Sequence, residues 1–402
     1  MMLQPEPMKL QTPIAALEQA FTPHRPITVQ SLLAGRMDTI YRGLDVIKTD
    51  GEHLILYGDR GVGKTSIARV LGAVAQEVER DRNLRVLFVS CSSADDFKSI
   101  WRKVFEEVQV IERQAGFGAR MTAPRPMTPE EEIKDSNDVK RLVQSFPSPT
   151  VIVIDEFDRV PVNNDARRLM SDTIKLFSDN AISSTIVIVG VAGSIEELIS
   201  EHQSITRHAA QLEVKPMTID ALAEVVQKAF DLAGMTYDAG LDERIAEMSQ
   251  GYPHYTHLLG LWSGRHATKA GRTHVSMADL DAAVNDALEN ATGDIRQAYD
   301  RAVQSAQPRT LYREVLLACG LAKKDAFGRF RTSDVGPPLR QITGRPYEVA
   351  AFQSHLAKFT EPDRGPALRR TGKPHGYRWQ FVNPQLIPYV RLEGVREGRI
   401  GA

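Results

Sequence analysis

Cysteine is almost missing from this 402-residue chain: Cys91 and Cys319 are the only two, and they lie far apart. That scarcity excludes a disulfide-stapled scaffold and a cysteine-built metal site, and the pair reads as buried thiols in a reducing cytoplasm. No apolar run approaches the roughly 18 residues of a membrane span. The opening "MMLQPEPMKLQTPIAALEQAF" lacks the basic-then-apolar order of a secretory leader. Internal repeats are also lacking. Net charge is nearly nil, at -1. With 42% apolar and 25% charged residues and a mean hydropathy of -0.28, the expectation is a water-soluble globular chain. At this length two or three domains are expected, because one hydrophobic core stops growing near 250 to 300 residues.

The near-zero charge is unevenly spread. Residues 293–402 hold 19 Lys and Arg against 10 Asp and Glu, leaving 31 against 41 upstream. A basic C-terminal part on an acidic body points toward a polyanion partner, although local basicity of this size is common.

The pattern of elements divides the chain four ways. Residues 1–31 are weakly patterned and read as an N-terminal arm. Over 32–217, five strand candidates alternate with helical segments: "LILYG" (54–58), "RVLFVS" (85–90), "TVIVIDE" (150–156), "TIVIVGV" (185–191) and "LEVKPM" (212–217). Four are continuous and rich in β-branched residues, as strands buried on both faces should be. The alternation predicts an α/β fold, a parallel five-stranded sheet with helices on both sides. Residues 112–137, rich in Gly, Pro and charge, read as a long surface loop. Over 218–292 the pattern is wholly helical, with four segments starting at caps such as Thr218 and Ser276. From 293 to 402, helices at 311–322, near 334–342 and at 346–360 precede two strand-like runs around a basic Gly-Pro turn. That order is the order of a winged-helix domain.

The densest chemical signal is "GDRGVGKTS", Gly58-Asp59-Arg60-Gly61-Val62-Gly63-Lys64-Thr65-Ser66, which fits GxxxxGK[ST] between a strand and a helix. Glycines let backbone N–H groups approach phosphates without Cβ obstruction. Lys64 can reach the β and γ phosphates, and the Thr65 hydroxyl can ligate Mg²⁺. A helix starting there turns its positive end toward the anion. The expected ligand is ATP with Mg²⁺. A second half should lie at the tip of another buried strand, and "VIVIDEF" supplies Asp155 and Glu156. Asp155 suits Mg²⁺, and Glu156 suits polarising the attacking water.

Together with the strand order and the appended helices, these motifs resemble the AAA+ and STAND group of P-loop ATPases. The branch most similar is the initiator, or origin-recognition, type, in which a winged helix follows a helical lid. The resemblance implies a P-loop NTPase sheet domain (32–217), a lid (218–292) and a winged helix (293–402). It implies that "LLAGR" places Arg36 near the adenine, and that "GVAGS" (190–194) holds the sensor 1 place, with Gly193 and Ser194 where Asn or Thr is usual. It implies that Arg207 in "SITRH" is an arginine finger acting on a neighbouring subunit's nucleotide, so a homo-oligomer is expected. It puts His254 of "SQGYPHYTH" where a sensor 2 arginine normally stands. For Arg207 the alternative is a surface arginine capping a helix; for His254, a packed lid histidine. The His254-x-x-His257 spacing lacks a second ligand pair for a metal.

The C-terminal basic run gathers Arg369, Arg370, Lys373, His375 and Arg378, interleaved with Tyr377 and Trp379. On a wing such cations neutralise DNA phosphates and release counterions. The alternative is a solvated hairpin whose Trp379, Phe381 and Tyr389 only pack on the helices. The helix at 346–360 has Lys358 as its one full cation, so weak sequence preference is expected on double-stranded DNA. Two functions therefore stand side by side. One is an ATPase coupling its nucleotide state to assembly on DNA. The other is a nucleotide-gated adaptor, set in a bacterial defence system or mobile element, whose winged helix recruits an effector protein.

Overall fold

A computed structural model describes residues 13–23, 35–114, 133–163, 165–191, 198–199, 205, 207–305, 310–325, 328–373 and 376–401. They form two compact units, 25–216 and 1–24 with 217–402. The first described helix, α1 (Pro13–Ala20), belongs to the second unit.

Unit 25–216 runs α2 (Met37–Lys48), β1 (His53–Gly58), α3 (Lys64–Val78), β2 (Arg85–Ser90), α4 (Phe97–Gln114), α5 (Ser136–Val143), β3 (Thr150–Asp155), α6 (Ala166–Asp179), β4 (Ser184–Val191) and β5 (Ala209–Glu213). The five strands make one parallel sheet in the order β2-β3-β4-β1-β5, with Leu54 beside Val187 and Val153 beside Val187 in register. β3 is buried along its whole length, and β4 at all but its last residue. This is why both read as unbroken apolar runs instead of alternating ones. On one side Trp101, Val104, Ile174 and Phe177 close the core against Ile152, Ile154 and Ile188. Each such side chain contributes about 1.5–3 kcal/mol by leaving water.

Two sequence expectations need correction. The last strand lies at Ala209–Glu213, three residues before the predicted 212–217. "AAQLE" carries little strand propensity, but β1 offers its free edge, and His53 to Tyr57 pair with Ala209 to Glu213. The predicted loop at 112–137 is helical at both described ends, to Gln114 and from Ser136; residues 115–132 lie outside the described residues. Asp135 caps the second of these helices, its carboxylate accepting from the Asn137 and Asp138 amides.

In the second unit the four expected helices are Ile219–Leu232, Leu241–Ser249, Pro253–Lys269 and Met277–Glu289. The caps read from the sequence operate: Thr218 Oγ1 accepts from Ala221 N (3.2 Å), and Ser276 N donates to Asp279 (2.8 Å). α1, within the segment read as a weakly patterned arm, packs its Leu17, and the following Phe21, against Gly264 and Gly260, where a Cβ would collide with them. Eight residues are too few for a helical period to show in the sequence.

Further along the same unit come helices Gly293–Val303, Tyr312–Leu321, Gly336–Thr343 and Val349–Lys358. They accompany a three-stranded antiparallel sheet ordered Phe330–Arg331, Arg378–Phe381, Leu368–Thr371, and Leu386–Arg396 closes the chain as a helix. Cys91 and Cys319 are both free and buried, and burial pushes the Cys91 thiol up to about 12. No helix among the described residues is long and apolar enough to cross a membrane.

His53, at the start of β1, is fully buried and its Nδ1 accepts from Ile186 N at 3.0 Å. Burial, helped by His208, pulls its pKa from 6.5 down to about 3. The unfolded chain therefore binds a proton that the folded chain refuses between those two values, and stability falls as pH drops from 6.5 toward 3. Denaturant titrations should show wild type losing up to about 1.4 kcal/mol per pH unit through this group. His53→Asn, which keeps an acceptor for Ile186, should flatten that slope; an equal slope in both proteins would remove His53 as its source.

Candidate active site

The loop after β1 is shaped by backbone conformations that only glycine takes easily. Gly58 packs against the carbonyl oxygen of Val214, a space a Cβ would occupy. Gly63 is left-handed (φ 97°) and caps the start of α3, whose first amides are left without intrahelical acceptors. Asp59, Gly61, Gly63, Thr65 and Ser66 are half-buried, Arg60 is exposed and Val62 is fully buried.

Lys64 is the first residue of α3 and is buried. Its Nζ donates to the Gly58 and Asp59 carbonyls at 3.0 and 2.7 Å. Burial pulls the ammonium down to about 8 while Asp158, Asp155 and Asp59 act in the opposite direction. Asp155, at the end of β3, is also buried. Burial raises its pKa, opposed by hydrogen bonds from the Thr65 hydroxyl and from Glu156 N (2.8 Å to Oδ1). Lys64, Thr65 and Asp155 therefore lie together at one end of the sheet. One hydroxyl and one carboxylate are hard oxygen donors of the kind that would fit Mg²⁺. Among the described residues no group of three or more His, Cys, Asp or Glu could hold a metal unaided.

Glu156 is exposed, left-handed (φ 56°) and ion-paired to Arg159 at 2.9 Å. A non-glycine residue in that region costs roughly 1 kcal/mol or more and aims the side chain away from the strand's own alternation. Arg36 Nη2 donates to Val62 O (3.0 Å) and Lys215 O (2.6 Å), so its guanidinium lies against the phosphate loop. Arg207 is exposed at the turn before β5. Gly193 and Ser194 lie outside the described residues.

Three residues that the sequence reading passed over complete this end of the sheet. Asp158 Oδ1 accepts from Val191 N at 2.8 Å, tying the tip of β3 to the tip of β4. Arg167, itself buried, donates to the Asp158 and Val160 carbonyls at 3.2 and 3.0 Å. Arg159 meets Glu156. The signal available was the repetition of acid and base in "DEFDR".

The other predicted residues belong to the second unit. His254 Nδ1 lies 2.9 Å from Pro23 O. On the hairpin, Arg369 pairs in register with Gln380, whose Oε1 it reaches at 3.0 Å, and Arg370 pairs with Trp379. Strand alternation thus puts Arg369 and Arg378 on one face and Arg370 on the other, its guanidinium 4.3 Å from the Tyr377 ring centroid. Lys373 is exposed at the turn, and His375 lies outside the described residues. Trp379, Phe381 and Tyr389 are buried.

Residues 47–199 match the family described as the AAA domain. No curated protein matches the chain. Among solved structures it is similar to the Walker-type ATPase of Pyrococcus abyssi, at 15% identity over 92% of this chain and 99% of that one, with a TM-score of 0.57. It is also similar to the ORC2 protein of Aeropyrum pernix, solved as ADPNP and ADP complexes, at 13% identity over 95% and 97%, with a TM-score of 0.53. The fold is that of an α/β P-loop NTPase with its five-stranded parallel sheet, and the match to the AAA-domain family falls on residues within it.

Proposed function

We propose that the chain binds ATP with Mg²⁺, hydrolyses it, and couples its nucleotide state to assembly on double-stranded DNA. The observation that carries this reading is the convergence of the Thr65 hydroxyl, the Asp155 carboxylate and buried Lys64 at one end of the sheet. In this assignment the amides from Gly58 to Ser66 cradle the phosphates and Lys64 adds a positive charge to them. Thr65 and Asp155 hold Mg²⁺, which when bound neutralises charge on the β and γ phosphate oxygens. Glu156 orients and deprotonates the attacking water, and Arg207 acts on the nucleotide of a second subunit. The homo-oligomer follows from that last role.

The fold of residues 312–396 supports a winged helix, with Val349–Lys358 as its groove-facing helix and the 368–381 hairpin as its wing. Exposed Arg369, Arg370 and Lys373 support a phosphate contact. A second reading, an adaptor recruiting an effector protein, is favoured by the helix itself. Lys358, its one full cation, is paired with Glu361 at 3.5 Å.

Glu156→Gln should lower ATP turnover by about 10²- to 10⁴-fold while leaving Mg-ATP affinity within a few-fold. Turnover and equilibrium binding measured on the same full-length protein check this, and undiminished turnover removes the general-base role. For the wing, replacing Arg369, Arg370 and Lys373 together by Ala should lower the slope of log affinity against log salt by about two to three. An unchanged slope on duplex DNA would leave the effector reading in place of the DNA one.

A further inference from the structure

Only two covalent connections join the units, at 24/25 and 216/217. The second leaves the sheet right beside the phosphate loop. Val214 N donates to Tyr57 O at 2.7 Å, and the backbone of Gly58 lies against the Val214 carbonyl. Lys215 follows, then Pro216, which has no N–H and holds its predecessor extended. Beyond them Met217 N donates to Gly251 O at 3.0 Å inside the second unit.

Arg36 spans this arrangement. One nitrogen, Nη2, reaches both the Val62 carbonyl at the crest of the loop and the Lys215 carbonyl of the crossing chain. The guanidinium is half-buried, and burial pulls it down to about 10, leaving it fully charged at neutral pH. A planar trans peptide fixes the Gly63 N–H opposite to the Val62 carbonyl. Holding that oxygen therefore sets the direction of an amide at the very start of α3, where phosphate is expected.

We propose that Arg36 is a positioning residue that ties the phosphate loop to the chain crossing at 214–216, so that filling the loop stiffens the crossing. This rests on the nucleotide-binding reading above. Arg36 does its work through backbone: it orients Gly63 N–H on one side and restrains Lys215 on the other. Phosphate bound at the loop removes freedom from the Val62–Gly63 peptide, and the shared guanidinium passes that restriction to Lys215. The route needs no contact between Arg36 and the nucleotide base.

Hydrogen exchange on the full chain, with and without saturating Mg-ADP, tests the tie. In wild type, nucleotide should slow exchange in peptides covering 58–66 and also at the Val214 and Met217 amides. Arg36→Ala should bind Mg-ADP about tenfold more weakly, the size expected for losing charged hydrogen bonds. At saturation it should keep the slowing at 58–66 and lose it at 214 and 217. Arg36→Lys, which keeps one donor and the charge, should recover part of both effects, and it carries the test if the alanine variant melts early. Equal slowing at 214 and 217 in wild type and Arg36→Ala overturns the proposal while leaving nucleotide binding intact. No slowing at 58–66 in wild type overturns the nucleotide reading itself.

Discussion

A hydroxyl on α3 meeting a carboxylate at the tip of β3 is the constraint on which the whole sheet-bearing unit depends. β4 lies between β1 and β3, so the two strand tips are about 10 Å apart at ordinary strand spacing. The loop after β1 has to reach across that gap. It does so because Gly63 turns left-handed and delivers Lys64 and Thr65 at once into the first helical turn. The same turn leaves the first helical amides without intrahelical acceptors. Loop, helix start and acidic strand tip are therefore one construction, and a residue unable to follow the turn would separate the hydroxyl from its carboxylate.

Charge in this construction is held at a desolvation cost. Lys64 and Asp155 are both shifted by burial toward their neutral forms, and their attraction to each other only partly opposes this. Such a site is poised for a ligand that brings its own compensating charges, because a polyanion with a divalent cation restores what burial takes from both groups. Asp158 does a different job although it sits in the same stretch. It accepts from Val191 N, holding two strand tips in register, and it is also the carboxylate that most opposes the lowering of Lys64 by burial. Glu156 stands apart from both. Its left-handed backbone and its partner Arg159 place the carboxylate at the solvent edge, where water is available to it.

How much of this was legible in the residues follows from where the information resides. β1, β3 and β4 are buried on both faces, so their sequences are continuous apolar runs and could be found to within a residue. The phosphate loop was legible because its glycines serve backbone conformations that other residues avoid. β5 was not, since "AAQLE" becomes a strand by accepting the open edge of β1, a property of the partner and not of the segment. α1 was missed for the same kind of reason: Gly260 and Gly264, more than two hundred residues away, provide the space for Phe21 and Leu17. Arg36 was assigned to the adenine by resemblance, whereas its observed acceptors are two main-chain carbonyls, which no side-chain pattern encodes.

The basic C-terminal part presents the same distinction between composition and placement. Its aromatic residues resolve toward the bland alternative, since Trp379, Phe381 and Tyr389 are buried and Trp379 donates to Thr332 Oγ1 at 2.9 Å. Its cations do not. Arg369 and Arg378 occupy one face of the hairpin and Arg370 the other, with Lys373 at the turn. The face that carries Arg370 also carries Leu368, Trp379 and Phe381, all buried, so it packs within the unit, and the face of Arg369 and Arg378 is the one turned outward. A protein surface would be expected to meet one face and to bury apolar area there. Val382, half exposed just after the hairpin, is the one large apolar group near it among the described residues. In the helix Val349–Lys358 the one full cation, Lys358, is already paired with Glu361. Binding through the hairpin and not through that helix would track phosphate spacing, and therefore ionic strength, far more than base identity.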